Sequence, residues 1–196
     1  MSMKALTILG LFGIGACVMG CSVSYGNVYE VRIDPAFTAG ETALVLESLD
    51  NWEHAIESVR GDGYLTFHVT VGTCNDDWHE ICVVPSTRAI LDAMGAGPTN
   101  LGYTLHNETF DRGTSYLAVD KLHYAPNADG TPADINVAAF TTCTMHEIGH
   151  AMGLAHEANG NVMSAKYPNA SHQLTCLDVS QYLGLRGMGF ADCGKL

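Results

Sequence analysis

Apolar and polar residues alternate from Asn27 to Asp34, through Val28, Tyr29, Glu30, Val31, Arg32 and Ile33. A period of two places one set of side chains on each face of a strand, so this stretch predicts a half-buried β-strand. The period then changes. Leu44, Leu46, Leu49, Trp52, Ile56 and Val59 recur at helical spacing between Thr38 and Arg60, with acidic residues on the other face. That predicts a long amphipathic helix, with His54 as a surface residue. Gly61-Asp62-Gly63 stops it, and Tyr64 to Val71 reads as a second strand. Ser86 to Met94 predicts a short helix capped by Ser86 or Thr87. Leu101 to His106 and Thr114 to Asp120 predict further strands. No internal repeat, low-complexity tract or linker breaks the chain, and the apolar N-terminus is its one seam.

The strongest pattern is HEIGHAMGLAH, His146 to His156. Four residues are just over one helical turn, so His146 and His150 share a face and can offer two imidazole nitrogens to one metal ion. Glu147 stands beside the first, placed to handle a proton on a metal-activated water. Gly153 lets the chain leave the helix with positive φ, which a Cβ resists. The reversal brings His156 back as a third ligand. Three protein ligands with one open position suit a catalytic zinc, whereas a structural zinc is closed by four. A bare His-Glu-x-x-His arises by chance in about one chain of this length in a hundred at ordinary residue frequencies. The added Gly and third His make coincidence far rarer, which favours a site over an ordinary histidine-bearing helix.

The stretch resembles the zinc signature of the metzincin clan of metalloendopeptidases. That resemblance implies a Met-turn beneath the metal, and Met163 in Asn161-Val162-Met163-Ser164 is its candidate. Glu157, directly after the third His, is the residue astacins carry there. The short gap to Met163 and the Gly153-Leu154 pair resemble matrixins, as does Leu174 to Val179, where Asp178 matches an aspartate of the last matrixin helix. The specific resemblance spans about residues 146–180. It implies an α+β fold: a twisted mixed sheet with a backing helix and an active-site helix, then a small C-terminal subdomain with Met-turn and terminal helix. It implies zinc-dependent hydrolysis of peptide bonds, with Glu147 as general base and His146, His150 and His156 as ligands. It also implies that substrate joins a sheet edge as an extra strand. The first candidate edge is Ser115 to Val119, putting Tyr116, Leu117 and Ala118 at the pocket; the alternative is Leu122 to Pro126. Tyr167 is a further candidate, as pocket lining or oxyanion support, or as packing for the turn.

Asn127 to Asp134 offers oxygen ligands around a Gly turn, so one Ca²⁺ is a candidate second ion. It lacks a closing glutamate, and a polar turn is the plainer reading. The His- and Asp-rich stretch that holds a second, structural zinc in matrix metalloproteinases has no counterpart. Nor has a folded pro-domain with a zinc-blocking Cys. Either the protein is made active, or a short segment around Asn27 to Asp34 covers the cleft through Asp34.

The 196 residues suffice for one domain with a proper core, and 47% hydrophobic with 15% charged content suits a globular protein. A formal net charge of −12 argues against nucleic acid and against an electrostatic hold on anionic lipid. Lys4 followed by the apolar run Ala5 to Gly20 reads as a secretory signal, residues 1–20. The run ends in Val18-Met19-Gly20-Cys21, which resembles a bacterial lipoprotein box with Cys21 lipidated; Cys17 is a second candidate, and cleavage near Ser24 the alternative. Residues 21–196 would then be an exported, monomeric catalytic domain, at the cell envelope or secreted, touching membrane only through the lipid. Export permits disulfides. Cys74 and Cys82 bracket a short polar loop and are the favoured pair; Cys176 with Cys193 is a second, leaving Cys143 free. The rival class is an exported metal-binding or adhesion lipoprotein without turnover, in which Glu147 would have no purpose.

Overall fold

A computed structural model describes residues 27–61, 63–74, 80–106, 112–124, 134–157, 161–165 and 173–187. The elements are β1 (Asn27–Ile33), α1 (Ala39–Arg60), β2 (Leu65–Val71), β3 (Glu80–Ser86), α2 (Arg88–Ala93), β4 (Gly102–His106), β5 (Gly113–Ala118), α3 (Val119–Leu122), α4 (Val137–Ala151) and α5 (Cys176–Leu185). The class is α+β.

The five strands form one sheet in the order β2-β1-β3-β5-β4. The first three junctions are parallel, and β4 runs antiparallel to β5. In β1 the alternation works as expected: Tyr29, Val31 and Ile33 are buried. Because β1 pairs on both sides, Asn27 to Ile33 is an interior strand and not a cover for the cleft. Asp34 is tied down by a backbone bond to the Val83 carbonyl, 3.0 Å.

Helices α1 and α4 pack on each other, α1 over β2 and α4 over β4 and β5. Leu49, Trp52 and Ile56 meet Phe140, Met145 and Ile148 in the main core. The Trp52 indole N–H donates to the Met145 carbonyl at 3.0 Å, a buried bond joining the helices. Thr38 caps α1 in a reciprocal box: its hydroxyl accepts the Glu41 N–H, while Glu41 accepts from the Thr38 N–H at 2.7 Å. Gly61, at φ 98°, ends the helix. A smaller cluster of Leu91, Ala96 and Ala118, with Met94, Tyr103 and Tyr116 against it, forms a separate apolar patch beside α2.

One strand is new and one expectation changes. β3 does not follow from alternation: Ile81-Cys82-Val83 is buried throughout, as befits a central parallel strand covered on both faces. And Ser115 to Val119 is not an edge. β5 lies between β3 and β4, so both its backbone sides are already bonded, and Leu117 and Ala118 are fully buried. Of the alternative edge, Leu122 ends α3 and His123 makes an isolated bridge to Ile135, while residues 125–126 lie outside the described residues. Among the described residues the edge on the α4 side is β4. Also among them, no helix is long and apolar enough to cross a membrane.

Candidate metal centre and active site

Helix α4 begins at an Asn136 cap and carries His146, Glu147 and His150 in its last two turns. It ends in a Schellman arrangement. The Gly153 N–H donates to the His150 carbonyl at 2.7 Å, and the Leu154 N–H to the Gly149 carbonyl at 2.9 Å. Gly153 sits at φ 93°, the conformation that this reversal requires and a Cβ would strain. The reversed chain brings His156 back over the helix.

The three imidazoles converge. Nε2 of His146 and His150 are 3.0 Å apart, and His156 Nε2 lies 3.2 and 3.1 Å from them. His146 Nδ1 donates to the Val162 carbonyl and His150 Nδ1 to the Leu154 carbonyl, each at 2.7 Å. A carbonyl oxygen can only accept, so in both neutral rings the proton sits on Nδ1 and Nε2 keeps a bare lone pair. Lone pairs pointed at one another repel, and a shared cation removes that conflict. Protons are a poor substitute: burial, then the neighbouring His146, pushes His150 down to about 3, and burial lowers His146 as well. The cluster can therefore hold one metal ion on three neutral nitrogens.

Met163, the candidate of the Met-turn, is fully buried. Its thioether occupies the place where a Cβ on Gly149 would fall, and the Trp52 ring would lie 3.3 Å from that Cβ. Asp178 holds the segment in place. Its buried carboxylate accepts the Met163 N–H at 3.1 Å and the Val162 N–H at 3.2 Å. The same carboxylate closes a capping box on α5, accepting the Thr175 N–H and hydroxyl at 2.8 Å each. One side chain thus links α5, the Met163 turn and, through Val162, the His146 ring. Glu157 joins the same turn through its N–H to the Met163 carbonyl, 2.9 Å.

Glu147 is buried against β4 and β5. The Thr104 hydroxyl donates to its Oε2 at 2.7 Å, and the Ser115 hydroxyl to its main-chain carbonyl at 3.1 Å. Burial raises its carboxyl to about 7, and the Thr104 hydrogen bond acts in the opposite direction. Sequence reasoning missed Gly102, Thr104 and Gly149, and named Ser115 only as part of a substrate edge, not as a partner of Glu147. The strand period offered a partial signal, since 102 and 104 share a face, but nothing local says that this face meets Glu147.

The remaining candidates are scattered. Tyr116 belongs to the small cluster with Leu91 and Ala118. Tyr167, Cys21 and residues 127–133 of the calcium candidate lie outside the described residues. Cys74 and Cys82 form the expected disulfide, with Cα atoms 5.8 Å apart. Cys176 is also disulfide-bonded, and its expected partner Cys193 lies outside the described residues. Cys143 is a buried free thiol, as expected, whose ionisation burial and Glu147 oppose.

No family model and no curated protein sequence matches the chain. Solved structures do show a loose likeness. High choriolytic enzyme 1, a hatching-enzyme zinc protease from the medaka Oryzias latipes, aligns at 14% identity over 82% of this chain and 90% of its own, with a TM-score of 0.42. Archaemetzincin from Methanopyrus kandleri aligns at 14% over 85% and 98%, TM-score 0.46. Metalloproteinase-II from Bacteroides fragilis aligns at 9% over 84% and 54%, TM-score 0.44. TM-scores below 0.5 leave the site's own geometry to carry its interpretation.

Proposed function

We propose that this chain is a zinc-dependent endopeptidase of metzincin type with a matrixin-like C-terminal half. The observation that carries the reading is the convergence of three Nε2 atoms within 3.0–3.2 Å, two of them with Nδ1 pinned to a carbonyl. Ligands about 2.0–2.1 Å from a tetrahedral zinc lie about 3.3–3.4 Å apart, so the cluster needs only a slight relaxation to fit. His146, His150 and His156 would hold the ion. When bound, Zn²⁺ supplies Lewis acidity, making a water a nucleophile near neutral pH and polarising the substrate carbonyl.

The protein's own groups do the rest. Glu147 takes the proton of the attacking water and passes it to the leaving amine, a task suited to a carboxyl raised to about 7 by burial. Strand β4 is the sheet edge beside α4 among the described residues, the place where an extended peptide would add through main-chain hydrogen bonds. Met163 and Asp178 keep the floor and the His146 ring in register, and this tie between turn and last helix supports the matrixin-like assignment. Residues 1–20 are proposed as an export signal, with Cys21 as the lipidation site and residues 21–196 as the catalytic domain. The Cys74–Cys82 disulfide supports an oxidising compartment.

The test is a quenched peptide library, cleaved with and without a zinc chelator, beside Glu147→Gln. The reading expects internal cleavage that chelator abolishes and zinc restores. Chelator-insensitive cleavage overturns it. Zinc retention without cleavage of any peptide favours an exported metal-binding protein instead. Mass spectrometry of the mature N-terminus tests the leader, since an unmodified Met1 would exclude it.

A further inference from the structure

Gly102 and Thr104 are alternate residues of β4, so they face the same way, toward α4. Thr104 pairs with Ser115 across the antiparallel ladder, and their hydroxyls lie 3.0 Å apart. Together they grip one residue of α4. Thr104 Oγ1 stands 2.7 Å from Glu147 Oε2 and 3.1 Å from the Glu147 carbonyl, which Ser115 also approaches at 3.1 Å. A hydroxyl has one proton. The shorter, charge-assisted bond claims that of Thr104, and Ser115 is left to serve the carbonyl. At the other carboxylate oxygen, Gly102 leaves room. A Cβ there would stand 2.5 Å from Glu147 Cγ and 2.6 Å from Oε1.

We propose that Thr104 is the positioning residue of Glu147, and that the inward face of β4, Gly102 with Thr104, fixes where this carboxylate stands. The inference rests on the peptidase reading, in which Glu147 handles the proton and β4 receives the substrate. Its consequence is a shared reference frame. A peptide paired to the outer side of β4 has its scissile bond placed by that strand, and the inner side of the same strand places the base. A shift of β4 then moves both together, preserving the short proton-transfer distance on which general-base catalysis depends.

Thr104→Val keeps the shape and removes the hydroxyl, and Thr104→Ser restores it. The expected result is a fall in kcat of about ten- to a hundredfold for Thr104→Val, from loss of a hydrogen bond to a charged group. KM and bound zinc should stay unchanged, and Thr104→Ser should recover most of the rate. Gly102→Ala keeps the hydroxyl but crowds the carboxylate at Oε1, and should lower kcat likewise. Wild-type kcat in Thr104→Val, or no recovery in Thr104→Ser, overturns the role of Thr104; wild-type kcat in Gly102→Ala overturns that of Gly102. A readout independent of turnover is the thermal double-mutant cycle of Thr104→Val with Glu147→Ala in metal-free protein. A non-additive Tm shift of at least about 2 °C is expected, and additive shifts overturn the proposal whatever the kinetics. If wild type cleaves nothing, the peptidase reading fails, and the cycle alone still decides whether Thr104 holds Glu147.

Discussion

Two glycines in the motif helix and its exit do different work. Gly153 is needed for its positive φ, and its place after the helical histidines made that legible from the sequence. Gly149 has ordinary helical geometry and is needed for space, because Met163 fills the position of its missing Cβ. No local pattern announces that, since the contact joins positions in separate elements. Gly149→Ala should therefore destabilise the protein by about 1–3 kcal/mol through overpacking, despite alanine's better helix propensity. Urea unfolding should show that cost, and should show it shrink in a Met163→Ala background. An equal cost in both backgrounds would mean that Met163 is not what crowds the site. The histidines lie at the other extreme of legibility: their spacing alone brought three ligands together, because helix period and turn chemistry fix their geometry locally.

At the level of elements, local periodicity located β1, α1, β2, β4 and β5, whereas pairing order was not legible. Whether β4 or β5 lies at the edge depends on contacts far apart in sequence, and that one swap moves the candidate substrate edge from Ser115–Val119 to Gly102–His106. β3 was hidden because a continuous apolar run has no alternation to detect. Helix α5 matters through its first turn. Asp178→Asn keeps the shape but gives up the charge that draws four donors, so it should cost about 2–3 kcal/mol in denaturant unfolding. Zinc affinity should fall about ten- to a hundredfold as the Val162 carbonyl loosens its hold on His146. Unchanged affinity would separate the turn from the metal site. Helix α1 carries a pH-dependent element at its start. Burial disfavours the charged form of Glu41, but hydrogen bonds from Thr38 and His123 outweigh it and hold the carboxyl below its usual value. A depressed folded-state value stabilises above the ordinary carboxylate range, and that stability is lost as pH falls through the lowered value. Glu41→Gln should thus be less stable than wild type near neutrality, with the gap closing in acid. A gap independent of pH would refute this.

For the whole molecule, one sheet with two helices packed over it carries a site whose parts come from α4, the Met163 turn and β4, with α5 holding the turn in place. The Cys74–Cys82 disulfide closes a short segment, separated by eight positions, and should contribute about 2–3 kcal/mol by restricting the unfolded chain. Replacing both cysteines with alanine should lower Tm while leaving zinc affinity unchanged, since neither belongs to the centre. In the proposed reading, three neutral imidazoles of that centre hold one zinc, and Glu147 makes it hydrolytic. The direct measurement is peptide cleavage by metal-free protein titrated with zinc, for wild type and Glu147→Gln in parallel. Both proteins should bind one equivalent with similar affinity. Wild-type activity should rise to a plateau at that equivalent, while the variant stays slower by about a thousandfold or more. Cleavage without zinc, or a fully active Glu147→Gln, would contradict it.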